Sequence, residues 1–194
     1  MTSQLPHRMR VMLVESDVGS GEEFRDGWTR RGHAVVSCND EDGGPCRSVS
    51  RPSECPLRAH VDLAVLVSSE STTSGLNEMG FVCAKRHRVP TMTIDPVVAD
   101  DESGLIESQA TVARRRVEAA YAEAVQRRLP PGAATVSVHR LERRIVVDLC
   151  QGDHDTDPHR RSFLADLARD AVRNHDPYVD VIDVCVTTAP TLVV

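Results

Sequence analysis

Four groups of residues in this chain have the types and spacing to do chemistry. Glu15 and Asp17 follow the short apolar run Val11 to Val14, and such a carboxylate pair can hold Mg²⁺ as hard oxygen ligands. Glu78 stands in Ser-Gly-Leu-Asn-Glu-Met-Gly, residues 74–80, where a carboxylate suits either a nucleophile or the N-terminus of a helix. Cys46, Cys55 and Cys83, with Cys38 or His60 as a fourth, are soft ligands for zinc or an iron–sulfur centre, although the chain has no Cys-x-x-Cys pair. Asp153, His154, Asp155, Asp157 and His159 form the densest run of oxygen and imidazole donors, suited to zinc or manganese. Each group also has a plain structural use. Carboxylates at strand ends are solvated, free cysteines pack as small hydrophobes, and Asp157 is placed to cap a helix opening at Pro158.

The element that must position them runs from Val61 to Ile94. Val-Asp-Leu-Ala-Val-Leu-Val is a continuous apolar run, as a strand buried on both faces requires. A Ser/Thr/Gly segment with turn chemistry follows, then about two helical turns, and Val89-Pro90 opens a second apolar run. Strand, loop, helix and strand make a βαβ unit, whose right-handed crossover sets the loop at the carboxyl edge of a parallel sheet. Ligand sites in such sheets lie at that edge, so Glu15, Asp17, Ser68, Ser69 and Asp95 become the expected pocket.

Composition bounds the function. The 194 residues suffice for one large domain or two small ones. Aromatics at 3% leave the core to Val, Leu, Ala, Ile and Met. A net charge of −6 disfavours bulk nucleic-acid binding, which rests on phosphate neutralisation. Arg114 to Arg116, Arg127-Arg128, Arg143-Arg144 and Arg160-Arg161 sit among acids without interleaved aromatics, so no nucleic acid is expected. No apolar stretch approaches the ~20 residues that span a bilayer, and the N-terminus lacks the long apolar core of a signal peptide. The expectation is a cytoplasmic protein away from membranes, with reduced cysteines.

Taken in order, Arg10 to Val14 is a strand, Gly19 to Arg31 a helix with Phe24, Trp28 and the Arg31 stem inward, and His33 to Cys38 a second strand. Val-Met-Leu-Val-Glu-Ser-Asp, a helix ending Arg-Arg-Gly-His, and Ala-Val-Val-Ser-Cys resemble the start of bacterial response-regulator receiver domains over residues 8 to 40, and more loosely to 98. The resemblance implies a doubly wound parallel sheet with a phosphoacceptor aspartate after the third strand. That position is Val67 here, the Thr/Ser position of the family falls near Asp95, and no Lys-Pro follows. The expectation is a degenerate receiver that accepts no phosphate.

Residues 39–60 replace the receiver's second helix with a Gly-, Pro- and Ser-rich insert in which a helix is not expected. Cys46 and Cys55 then belong to a polar loop and should alkylate quickly, with Cys83 slower on its helix. Further on, Ser-Gly-Leu-Asn-Glu-Met-Gly-Phe-Val-Cys-Ala-Lys-Arg-His-Arg-Val-Pro resembles the nucleoside 2-deoxyribosyltransferase pattern of a small-residue loop, Glu-x-Gly-x-Ala and Gly-Lys-Pro. Glu78 and Gly80 match, Val82 replaces the alanine, and Arg88-Val89-Pro90 stands for Gly-Lys-Pro. The resemblance implies that Glu78 is a nucleophile attacking a sugar carbon.

An acidic linker is expected over Pro96–Ser108, then a helix over Gln109–Leu129 with Val112, Val117, Ala120, Ala124 and Val125 near one side, ended by Pro130-Pro131-Gly132. Ala134–Leu141 and Arg144–Cys150 read as antiparallel strands about an Glu142-Arg143 turn. A helix after Asp157, with Phe163, Leu164, Leu167, Ala168, Ala171 and Val172 at helical spacing, leads to a last strand over Val179–Thr188. This α-β-β-α-β order resembles the cytoplasmic domain of cation diffusion facilitators and alkaline-shock-protein domains, modules that commonly dimerise.

The sequence therefore predicts an α/β chain: a receiver-like doubly wound parallel domain at 8–100 and a small α-β-β-α-β (α+β) sandwich at 109–190. The expected function is a non-catalytic regulatory or interaction protein, a homodimer through its C-terminal domain with room for a protein partner. The alternative is a binder of a nucleotide-like small molecule, or a deoxyribosyltransferase- or hydrolase-like enzyme, using Glu78. The third reading is a cysteine-based metal or redox sensor. No cofactor is demanded by these residues, and Mg²⁺ or zinc is the one they best suit.

Overall fold

The computed structural model describes residues 8–39, 46–68, 75, 77–96, 105–141, 144–152 and 157–188. It is mixed α/β, with a four-stranded parallel sheet and a second, mixed sheet of three strands. The chain divides into two compact units, Met1–Arg114 and Arg115–Val194.

In the first unit β1 (Arg10–Glu15), β2 (Ala34–Ser37), β3 (Leu63–Val67) and β4 (Thr91–Ile94) lie in the order β2-β1-β3-β4. Alternation along the strands sends side chains to opposite faces. Val11, Leu13, Leu63, Val65 and Val67 meet Phe24 and Trp28 of α1 (Glu22–Arg30) and Ala110 of α4 (Leu105–Arg128). Met12, Val14, Ala64 and Leu66 meet Phe81 and Ala84 of α3 (Met79–Arg86). Both faces are covered, which is why β1 and β3 read as unbroken apolar runs.

Several boundaries differ from expectation for local reasons. The first helix begins at Glu22, since Gly19 takes φ +84, a left-handed turn conformation. Arg31 is exposed and adds nothing to the inner face. The segment expected to lack a helix carries one short turn, α2 (Arg47–Ser50), and 3₁₀ turns at Pro52–Glu54 and Pro56–Arg58. Each 3₁₀ turn opens on a proline, whose fixed φ suits a first helical position. The expected linker is shorter than Pro96–Ser108, because α4 already starts at Leu105.

In the second unit β5 (Thr135–Leu141) and β6 (Arg144–Gln151) pair antiparallel, and β7 (Val181–Thr188) adds parallel to β6 after α5 (Pro158–His175). Val138, Ile145, Val147 and Leu149 pack against Tyr121 and Val125 of α4 and Leu164, Ala168 and Val172 of α5. Asp157 caps α5 as expected, its Oδ1 accepting from the His159 N–H at 2.9 Å. Val112 and Phe163 are exposed, contrary to their helical spacing. Tyr121 is the buried anchor instead, and its hydroxyl donates to the buried Asp176 Oδ2 at 2.5 Å. The Glu142-Arg143 turn lies outside the described residues. No helix among the described residues is long and apolar enough to cross a membrane.

Candidate functional site

Period-two alternation continues past the end of β1 and separates two neighbours. Glu15 falls on the α1 face with Val11 and Leu13, and Ser16 on the α3 face with Met12 and Val14. Glu15 is buried and committed there: Oε1 accepts from the Gly21 N–H at 2.8 Å, and Oε2 lies 3.5 Å from Arg25 Nη2. Asn39, just past β2, clamps the Glu15 backbone by accepting from its N–H at 2.9 Å and donating to its carbonyl at 3.0 Å. A Cβ at Gly21 would stand 2.8 Å from Leu13 Cδ2 and 3.0 Å from Glu15 Oε1, so only glycine lets α1 begin this close. Glu15 thus brackets α1 to the sheet, while Asp17 is exposed.

The strand order reverses between β1 and β3, and ligands of open α/β sheets bind outside the carboxyl ends of the strands at such a switch point. Ser16 lies there, its N–H donating to the Val67 carbonyl at 3.0 Å. Its hydroxyl donates to Glu78 Oε1 at 3.2 Å, and Asn77 Nδ2 donates to the Ser16 carbonyl at 2.7 Å. Glu78 occupies the N-cap position of α3, yet its side chain makes no cap bond. The half-buried carboxylate is instead drawn over the end of β1. Ser68 anchors β3 to β4 through its N–H and the Ile94 carbonyl at 3.1 Å. Asp95 is exposed, and Ser69 lies outside the described residues.

The thiols gather on the α3 face. Cys38 follows β2, its N–H donating to the Leu13 carbonyl at 2.8 Å, and its own carbonyl accepts from Arg47 at 3.0 Å. That second bond folds the segment after residue 45 back onto the sheet and carries Cys46 into the core, only 7% exposed. The expectation of a fast-reacting loop thiol at Cys46 is therefore corrected. Cys46 Sγ lies 2.9 Å from Ser48 Oγ, and Cys46 packs in the same core cluster as Cys38. Gly80 presses on the same place, since a Cβ there would overlap Cys38 Sγ. Burial, and then the neighbouring Cys46, Cys55 and Cys83, push the Cys38 thiol up to about 12. Burial, Cys46 and Cys55 raise Cys83 too, with Arg86 pulling the other way.

His60 is not part of this group. Its Nε2 lies 2.6 Å from Asp62 Oδ1 at the amino end of β3, where Asp62 Oδ2 accepts from the Arg10 N–H at 2.7 Å. Asp153, His154 and Asp155 lie outside the described residues; His159 is exposed. Among the described residues, Cys38, Cys46, Cys55 and Cys83 included, no group of three or more His, Cys, Asp or Glu side chains could hold a metal ion. Ser16, Asn39 and Asn77 were not singled out by the sequence. Alternation along β1 places Ser16 on the face opposite Glu15 but does not mark it as functional, and the two asparagines reveal themselves only through contacts distant in sequence. No family model matches the chain, and no curated protein matches it.

Proposed function

We propose that the first unit binds a nucleotide-like small molecule at the carboxyl edge of its parallel sheet and acts on the glycosidic carbon with Glu78 as nucleophile. One observation carries this reading: the Ser16 hydroxyl holds Glu78 Oε1 at 3.2 Å at the switch point between β1 and β3, away from the capping role its position on α3 offers. The resemblance of Glu78 and Gly80 to the deoxyribosyltransferase pattern supports it. In the proposed reaction a Glu78 oxygen bonds to the sugar carbon. The carbon–nitrogen bond breaks, its electron pair leaving with the base, which takes up a proton. Water or a second base then attacks the same carbon, losing a proton and restoring the carboxylate. Ser16 is a positioning residue, fixing which oxygen faces the sugar, and Asn77 fixes Ser16.

Incubating the full chain with ribo- and deoxyribonucleosides and dinucleotides, with and without a free acceptor base, tests this by chromatography of released base. Release is expected and should fall to background in Glu78→Gln. Ser16→Ala should lower kcat more than it raises KM. No release and no binding by any compound, from protein with an intact circular-dichroism spectrum, would overturn the reading. A regulatory role on a receiver-like frame, with no chemistry at Glu78, would then be the better account.

A further inference from the structure

We propose that the second unit carries a site for a small phosphomonoester, in an open hollow of about 290 Å³ between the last turns of α4 and α5. Its lining is Ala124, Arg127 and Arg128 from α4, with Ala171, Asn174 and His175 from α5. Both trios are spaced i, i+3, i+4, which sets three side chains on one face of a helix. Each helix therefore brings a small residue and, one turn on, two nitrogen-bearing side chains. The alanines leave the space open, and among the described residues no carboxylate lines the hollow. Tyr121 holds the two walls together. Its ring meets the His175 ring edge-on, with centroids 4.9 Å apart, and its hydroxyl donates to Asp176.

The two guanidiniums set the charge of the ligand. Carboxyl ends of helices are partly negative and attract cations, which accounts for basic residues in both last turns. That attraction does not require the cations of two helices to line one hollow without an acid. Arg127 has Glu123 at 3.8 Å, but the two side chains are 70% and 74% exposed. Such surface pairs are worth little, so the guanidinium can exchange this partner for a bound anion. A carboxylate monoanion would leave one arginine uncompensated. A phosphomonoester dianion balances both and offers oxygens to two planar forks, with the Asn174 amide as a further donor. The volume lies at the small end of ligand cavities, which favours a small ester over a nucleotide. The helix ends oppose an anion, so binding rests on the arginines and weakens as salt rises. Glu78 belongs to the first unit, and the site does not depend on its chemistry.

Calorimetric titration of the full chain with glycerol phosphate and with inorganic phosphate tests the proposal. Saturable binding of both is expected with Kd of about 1 mM or tighter, and acetate should bind at least ~10-fold more weakly. Arg127→Gln and Arg128→Gln should each weaken phosphate binding at least ~10-fold. Arg115→Gln with Arg116→Gln, on the same helix outside the hollow, should leave it unchanged. All four arginines are exposed, so the circular-dichroism spectra should match that of the unaltered chain. In a nuclear magnetic resonance titration the Asn174 amide and the His175 ring should shift most. Absence of saturable phosphate binding overturns the proposal, as does an equal loss from the Arg115 and Arg116 pair, which would show bulk charge alone. Acetate binding as tightly as phosphate, refusal of the ester, or shifts centred away from Asn174 and His175 overturns it too.

Discussion

At the scale of single residues, the positions that decide this molecule are those where one atom more does not fit. Gly80→Ala would set a methyl on Cys38 Sγ, an overpacking that costs about 1–3 kcal/mol. We expect its urea midpoint to fall, and the double variant Gly80→Ala/Cys38→Ala to lose less than the sum of the two single changes. Additive losses would show that the two side chains do not meet. Tyr121→Phe removes the donor from the buried Asp176 carboxylate, leaving one oxygen short of its bond at a cost of about 1–3 kcal/mol. Tyr178 N–H, 2.9 Å from the other oxygen, does not replace it. An unchanged midpoint in that variant would count against the bond. Val67, fully buried at the end of β3, carries no group that accepts phosphate. Small phosphodonors should therefore leave the intact mass unchanged, and an adduct dependent on Glu15 and Asp17 would restore the receiver chemistry.

At the scale of elements, Asp157→Ala tests a cap that sequence and structure both identify. Loss of its bond to the His159 N–H should cost about 0.5–2 kcal/mol, read as a lower thermal midpoint, and Asp157→Asn should recover most of it. A midpoint as low for Asn as for Ala would rule out capping as the cause. That cap was legible because Asp-Pro at a helix start is a local signal. The sheet strands were legible for a similar reason: burial on both faces forces β3 to be apolar throughout, and the Ala34–Ser37 and Thr91–Ile94 strands stand beside it in parallel register. What sequence periodicity missed depends on contacts between distant residues. The insert was read as polar, yet the Arg47 N–H bond to the Cys38 carbonyl turns it inward and buries Cys46. Phe163 has the right spacing for the α5 core face but is 55% exposed, since Leu164, Ala165 and Ala168 fill that face. At the candidate site Glu78 was legible from its motif, while its partner Ser16 became visible only when β1 and α3 met.

At the scale of the whole molecule, the second unit exposes features that a partner copy can cover. Its helices cover one face of the sheet, and β5 and β7 are both edge strands with unpaired backbone groups. On the other face Leu141, Arg144 and Val181 stand in one register row, with Leu141 51% and Val181 41% exposed. Arg144, between these two, pairs with Asp183 at 3.2 Å, and His139 lies 4.0 Å from Asp148, so paired charges stand within and beside the exposed apolar residues. Exposed apolar side chains beside paired charges of both signs suit a two-fold contact, in which the same patch meets itself. We therefore expect a homodimer through the second unit, seen as twice the chain mass in light scattering of the full protein. Leu141→Glu with Val181→Glu should weaken it by at least ~10-fold in Kd, equivalent to about 1.4 kcal/mol, without altering the circular-dichroism spectrum. Each chain carries a net charge of −6, so the two copies repel at long range. Added salt screens that repulsion over a Debye length of about 10 Å at 0.1 M, and the dimer should tighten as salt rises. A mass of one chain at high protein concentration and high salt would end this expectation, and a dimer that loosens with salt would place opposite charges at its centre instead of Leu141 and Val181.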